Sequence, residues 1–308
     1  MKALHTMLGE YLALRRALGF QLKREGALLP AFLAFLDAAG SPAITTELAL
    51  AWATQPATAS PRWWAQRLDM VRIFARYVHT LDPRTEIPAQ DVLPHASRRP
   101  QPYIYTDAEV VALMAAADRL DDPFRAHTYR TLFGLLASSG MRVGEALALD
   151  RPDLDLEQGI LTVHHGKFGK SRHVPLHPTT RQALAGYATA RDRRFRRRAT
   201  APAFFASLAG TRLVYTNAHL TFFRLVDRAG LGGRPPRRPR LHDLRHTFAV
   251  RTLIGWYQAG LDVERQLPVL STYLGHVQPA DTYWYLSAVP ELLGRAAQRL
   301  QESRGGTP

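Results

Sequence analysis

The sequence contains no cysteine. That excludes disulfides and thiolate metal sites and suits a cytoplasmic protein. Lysine is nearly absent too and stands only at Lys2, Lys23, Lys167 and Lys170. No apolar run reaches the roughly 18 residues that a membrane-spanning helix needs. Met1 to Glu10 lacks the compact apolar stretch of a signal peptide. Acidic residues are in the minority, 26 against 40 Lys and Arg in 308 positions, which leaves a net charge of +14 and a pI of about 10.6. An excess of that size points to a polyanionic partner, most simply nucleic acid. A genome rich in Arg codons would also raise the charge. It would not explain why two of the few lysines share the turn Gly166-Lys167-Phe168-Gly169-Lys170. Lysine can give up a proton at a reachable pKa and arginine cannot, so that turn selects an ammonium.

The chain length suggests two domains. The first, residues 1–92, reads as all helical. Apolar residues recur at helical spacing from Met7 to Leu18 and from Leu28 to Leu36, with Pro30 near the start of the second run. Thr45 or Thr46 caps a third helix, and Ser60-Pro61 opens a fourth. Arg62, Arg67, Arg72 and Arg76 lie along that fourth helix. They make either a solvated basic face or a surface that clasps DNA. Prolines 83, 88, 94, 100 and 102 exclude a continuous helix from Asp82 to Tyr103. The linker itself is placed at 93–104, where Arg98 and Arg99 belong either to an extended basic strap along a phosphate backbone or to a plain spacer.

The second domain, 105–308, opens on a capping box, Thr106-Asp107-Ala108-Glu109. His127 to Ser138 is a buried helix that Ser139-Gly140 breaks. Arg142 to Leu149 then resumes as a short helix, with Arg142 paired either to an anionic ligand or to Glu145. Ile160 to Leu176 reads as a β-hairpin around the lysine turn. His164, His165, His173 and His177 gather there, but no carboxylate joins them at ligand spacing, so they read as strand or surface residues rather than a metal site. Helices follow at Pro178 to Arg198, His219 to Ala229 and His242 to Ala259. Val263 to Leu274 is a further helix, interrupted near Pro268, and Pro290 to Leu300 is the last.

The stretch from Leu241 to Tyr285 carries the chemistry. It holds Leu241-His242-Asp243-Leu244-Arg245-His246, then Tyr273-Leu274-Gly275-His276, then Tyr283-Trp284-Tyr285. A His and an Arg three apart share a helical face. A phenol suits covalent attack on a phosphodiester, because the phosphotyrosine keeps the bond energy for religation. Arginine and histidine suit the non-bridging oxygens, where charge builds in the transition state. Together with Ser139-Gly140-Met141-Arg142-Val143-Gly144-Glu145 and the lysine turn, these motifs lie in order over about 145 residues. The set resembles the tyrosine recombinase (phage integrase) family, in a transposon-encoded or Xer-like form.

The resemblance implies a mainly α fold with a small β-hairpin or sheet in the catalytic domain. A helical core-binding bundle would precede a mixed α+β catalytic domain. It also implies DNA strand cleavage and rejoining through a 3′-phosphotyrosyl bond. Arg142 and Arg245 would clamp the scissile phosphate, His276 would donate to it, and Lys167 would protonate the leaving oxygen. His242 would assist proton removal or hold the phosphate, and Glu145 would orient Arg142 or a histidine. Tyr285 is preferred as nucleophile over Tyr283 and Tyr273. Tyr283 and Tyr285 differ by about 200° around a helix, so both cannot face one phosphate. Lys170, Arg172, Arg98, Arg99 and Arg240 are expected on DNA. No metal or other cofactor is expected. The implied partner is double-stranded DNA carrying inverted-repeat sites, bound as a tetramer on synapsed duplexes, with a partner recombinase as a further expectation. The implied location is the bacterial cytoplasm, at the nucleoid. A type IB topoisomerase and a non-catalytic DNA-binding protein are the alternatives.

Overall fold

In the computed structural model the chain divides into two compact units, Met1–Arg99 and Pro100–Pro308. The described residues are 2–93, 101–164, 171–196, 202–233, 237–276, 278–288, 292 and 294. Lys167, Lys170, Arg98 and Arg99 lie outside them, as does nearly all of the helix expected at Pro290 to Leu300.

The first unit holds α1 (Lys2–Ala17), α2 (Lys23–Ala38), α3 (Thr46–Thr54) and α4 (Pro61–His79). Thr45 caps α3 through its side chain, and Ser60 caps α4 with Pro61 in the first turn. The second helix begins earlier than its apolar run, and Pro30 sits inside it. One missing hydrogen bond, to the Gly26 carbonyl, is outweighed by burial of Leu29, Phe32, Leu33 and Leu36. The basic residues of α4 divide. Arg62 and Arg76 are exposed, whereas Arg67 and Arg72 are buried. The Arg67 guanidinium stacks 3.7 Å from the Trp52 ring centroid and donates to the Trp52 carbonyl at 2.7 Å. Arg72 pairs with Asp69 and donates to the carbonyls of Pro88 and Ala89. Half of the expected basic face therefore turns inward. Residues 86–90 are tied to this unit by the same bonds and by Glu86, whose N–H donates to the Ile44 carbonyl, so they are not part of a free strap.

The second unit runs α5 (Asp107–Asp118), α6 (Pro123–Ser139), α7 (Val143–Ala148), β1 (Leu154–Asp155), β2 (Ile160–Val163), β3 (Arg172–Pro175) and α8 (Pro178–Phe195). It continues through α9 (Tyr215–Arg228), α10 (Leu241–Gln258), α11 (Val263–Leu274) and α12 (Ala280–Ala288). The strands form one antiparallel sheet, β1-β2-β3, with Leu161 opposite Val174 and Val163 opposite Arg172. Alternation puts Leu161, Val163 and Val174 into the core while Thr162 and His173 bond to each other on the outer face. Helix α6 is buried along its length, as its apolar sequence predicts. The capping box of α5 is present.

Helix α11 is continuous through Pro268, where the sequence suggested an interruption. Its buried Val263, Leu267, Leu270 and Leu274 pack with Ala249, Val250 and Leu253 of α10, Tyr285 of α12 and Leu292. That packing holds the helix across the one bond that proline removes. The architecture is mainly helical with a small sheet in the second unit. Among the described residues no helix is long and apolar enough to cross a membrane.

Candidate active site

Three arginines converge on the end of α11. Its last carbonyls have no partners within the helix and carry the negative end of the helix dipole. Arg172 Nε donates to the Tyr273 carbonyl at 2.8 Å, Arg245 Nη2 to Leu274 at 2.7 Å and Arg142 Nη2 to Gly275 at 3.0 Å. Three successive carbonyls thus take three guanidiniums from three distant segments. Gly275 ends the helix at φ 66°, and a Cβ there would lie 3.0 Å from Arg172 Nη1. Both the left-handed turn and the close guanidinium call for glycine.

Glu145 organises two of the three. Its Oε1 accepts from Arg142 Nη1 at 2.8 Å and from Arg172 Nη1 at 3.1 Å. Its Oε2 accepts from Arg172 Nη2 at 2.7 Å and from the Arg142 backbone N–H at 2.9 Å. Burial alone would raise the carboxyl pKa, but the Arg172 bonds and charge, with those of Arg142, bring it down to about 2. Arg142 stands at the N-cap of α7 rather than within it. Its pairing with Glu145 does not use up the guanidinium. Glu145 orients it, and its other nitrogen reaches the end of α11.

Arg245 is 2% exposed and bridges the Gly140 carbonyl (2.9 Å) to that of Leu274. Gly140 also needs its left-handed φ of 60°, and a Cβ there would lie 2.4 Å from the Phe248 ring. Burial first, and then the charge of Arg142, lower the Arg245 pKa to about 10, so it remains a cation at neutral pH. A desolvated cation beside a second cation is a site that an anion stabilises.

Helix α12 completes the group. Thr282 is buried, and its hydroxyl lies 2.7 Å from His276 Nδ1. Tyr285 is 1% exposed, its hydroxyl is 3.0 Å from His246 Nδ1, and its ring lies 6.3 Å from that of His276. Tyr283 is 49% exposed, on another side of the helix. His242 is exposed at the start of α10, its ring edge-on to His246 at 4.6 Å. Arg142, Glu145, Arg245, His276 and Tyr285 are therefore brought together, with His242 beside them.

Two placements depart from expectation. Arg172, expected on DNA, spends its guanidinium on Glu145 and the Tyr273 carbonyl and is 13% exposed. Its position in β3, opposite Val163, turns it toward α11. His246 closes the motif that begins at Leu241, yet it stands outside the expected site residues. The signal available was its spacing, four residues after His242 and hence one turn along the same face. Arg240 does lie at the surface, at the N-cap of α10. Of the strand histidines, His164 faces Asp153, His173 bonds Thr162 and His177 caps α8, while His165 lies outside the described residues.

A mainly helical fold that gathers three arginines, histidines and a tyrosine at one helix end suits attack by a phenol on a DNA phosphate. Residues 104–291 match the model of the phage integrase family. The chain is 45% identical over 307 residues to a Sinorhizobium fredii protein that bears the name integrase/recombinase y4rB, with 98% of each covered. It is 32% identical over 244 residues to the tyrosine recombinase XerD of Caulobacter vibrioides, covering 78% of this chain and 75% of the other. Among solved structures, the Tn1549 transposon integrase with transposon right-end DNA aligns at a TM-score of 0.67 and 17% identity, over 96% and 98% of the two chains. The XerH recombinase in a post-cleavage complex with its difH substrate aligns at 0.64 and 19%, over 87% and 76%. The chain belongs to the phage integrase family, and it is a site-specific recombinase of the tyrosine class. That membership does not favour the topoisomerase or the non-catalytic reading.

Proposed function

We propose that Tyr285 is the nucleophile of this recombinase and that the cations around the end of α11 hold the scissile phosphate. Tyr285 Oη attacks phosphorus, the bond to the 5′-oxygen breaks, and a 3′-phosphotyrosyl bond forms. The 5′-hydroxyl of a partner strand then reverses the step on a new end. Arg142 and Arg245 bind the non-bridging oxygens with a fork that lysine cannot match. His276, steadied by Thr282, adds a hydrogen bond. Lys167 protonates the leaving oxygen, and Lys170 contacts a neighbouring phosphate. His242, at the exposed edge, holds the phosphate. Glu145, with Arg172, keeps Arg142 in place.

The observation that carries this reading is the meeting of Arg142, Arg245 and His276 at one helix end, with the Tyr285 phenol docked beside them. The substrate is double-stranded DNA, a reading supported by the solved complexes of the Tn1549 integrase with transposon right-end DNA and of XerH with difH substrate. The finer assignments are inverted-repeat sites, four protomers on two synapsed duplexes, a partner recombinase in some reactions and action at the nucleoid in the cytoplasm. Arg98, Arg99 and Arg240 add phosphate contacts, and residues 1–92 act as the core-binding domain, joined through 93–104 to a catalytic domain at 105–308.

The test is covalent capture. The protein is incubated with nicked duplexes drawn from DNA flanking its own gene, then digested, and the peptide left on DNA is sequenced. A phosphotyrosyl adduct at Tyr285, lost in Tyr285→Phe and kept in Tyr283→Phe, is the expected result. An adduct at Tyr283 would reassign the nucleophile, and tight binding with no adduct would refute cleavage.

A further inference from the structure

We propose that His246 is the group that takes the phenolic proton of Tyr285 during strand cleavage and returns it on religation. The inference rests on Tyr285 being the nucleophile. The contact is direct, since Nδ1 lies 3.0 Å from the phenol oxygen, within the reach that a general base needs. Both groups are buried, His246 at 3% exposure and Tyr285 at 1%. A phenolate formed there without a proton acceptor would be a desolvated charge.

The acceptor nitrogen is fixed in direction. The His246 ring is edge-on to His242 one turn earlier in α10, at 4.6 Å, and lies 5.5 Å from Trp284 of α12. Those neighbours leave the imidazole little freedom to swing away from Tyr285. Among the described residues the titratable and charged groups around the pair include His242 and Arg245 on α10 and His276, whose ring lies 6.3 Å from that of Tyr285. Arg245 lies within electrostatic reach of the phenol and favours its charged form. His276 is engaged through Nδ1 with Thr282, and His242 is exposed. His246 Nδ1 holds a hydrogen bond to the phenol at 3.0 Å.

The step balances. As Oη bonds to phosphorus, the phenolic proton passes to Nδ1 of an imidazole that carries its own proton on Nε2. The P–O5′ bond breaks, and the 5′-oxygen takes a proton from a different group, the proposed Lys167. Religation runs the same transfers backward, with His246 giving its proton to the departing phenol.

The experiment uses the full chain and a nicked duplex carrying the site captured by the wild-type protein, made with either a normal phosphate or a bridging 5′-phosphorothiolate. Asparagine can place a hydrogen-bonding atom near the Nδ1 position but cannot take the proton, so a purely structural role survives in His246→Asn. The expected result is adduct formation slowed by about 10²-fold or more in that variant. DNA binding stays at the wild-type level, and the fall in rate that the wild type shows as imidazole protonates is lost. His242 and His276 are imidazoles too, so only the loss of that fall in His246→Asn identifies His246. The thiolate leaving group needs no protonation, so it should rescue Lys167→Ala and leave His246→Asn slow. A wild-type rate and pH profile in His246→Asn, or its rescue by the phosphorothiolate, would overturn the proposal. Absence of any wild-type adduct would instead remove the nucleophile reading beneath it. A second measurement does not depend on the stability of the His246 variant. In protein labelled with ¹⁵N-histidine, Tyr285→Phe should shift one Nδ1 resonance out of the hydrogen-bonded range, and an unchanged spectrum counts against the contact.

Discussion

Glu145 and Arg172 meet fork to fork, with Oε2 to Nη2 at 2.7 Å and Oε1 to Nη1 at 3.1 Å, across 27 residues of sequence. The pair joins the strand after the lysine turn to the helix that presents Arg142. Arg172 is therefore expected to act through position rather than through DNA affinity. Arg172→Lys loses the bidentate geometry and should slow adduct formation at least tenfold with DNA binding unchanged. Arg172→Ala leaves Glu145 short of a partner and should cost about 3 kcal/mol, the scale of a broken buried pair. Salt-dependent binding isotherms check the alternative. If Arg172 neutralised a phosphate, its removal would lower the salt slope by about one.

The same carboxylate sets an acid limit. Its pKa falls from 4.5 unfolded to about 2 in the fold. A depressed carboxylate contributes stability that is complete above the unfolded value and is lost as pH falls toward the folded one. The loss therefore lies between about pH 4.5 and pH 2, and its full size is about 3 kcal/mol. Thermal melts should drop across that window. Glu145→Gln should melt lower at pH 7 and show a shallower fall below pH 4.5, whereas equal slopes in the two proteins would assign the acid sensitivity elsewhere.

The sequence made the segments and most of the cluster legible because these depend on local rules. The Thr106 capping box, the Ser60-Pro61 start and the glycine stops at 140 and 275 are local chemistry, and each is present. Arg172, Arg67 and Arg72 were not legible. Whether an arginine faces solvent or a buried carbonyl depends on what lies opposite it in space, and Tyr273, Trp52 and Pro88 are remote or loop positions. His246 was missed for a related reason. Its partner is a hydroxyl 39 residues away, and only the docking of α12 brings them together. Pro30 and Pro268 show the converse, a local rule overridden by packing.

Gly275 links helix termination to the site. Its φ is 66°, and an alanine methyl there would sit 3.0 Å from Arg172 Nη1, so Gly275→Ala has to strain the turn and push the guanidinium. The backbone strain is worth about 1–2 kcal/mol. Displacing Arg172 also disturbs Glu145 and Arg142, so activity should fall further than stability. Melting temperature and adduct rate measured on one preparation separate the two. A stability loss with unchanged adduct rate would show that the three-arginine grip is not transmitted to the reaction.

The first unit offers a test of which arginines meet DNA. Arg67 lies flat on Trp52 and donates to its carbonyl, and burial lowers its pKa. Arg72 closes on Asp69 and the loop carbonyls at 88 and 89. Both serve the fold of this unit. Arg62 and Arg76 stand exposed on the same helix. Arg62→Ala and Arg76→Ala should change stability by less than about 0.5 kcal/mol, as surface substitutions do. If the unit grips the backbone, each should also lower the salt slope of DNA binding by about one. Arg67→Ala should instead lower the melting temperature and leave the slope alone. Arg67→Met, which keeps the stem over Trp52 and drops the charge, should recover much of that loss. A lowered slope in Arg67→Met would mean that the guanidinium leaves Trp52 for a phosphate when DNA binds.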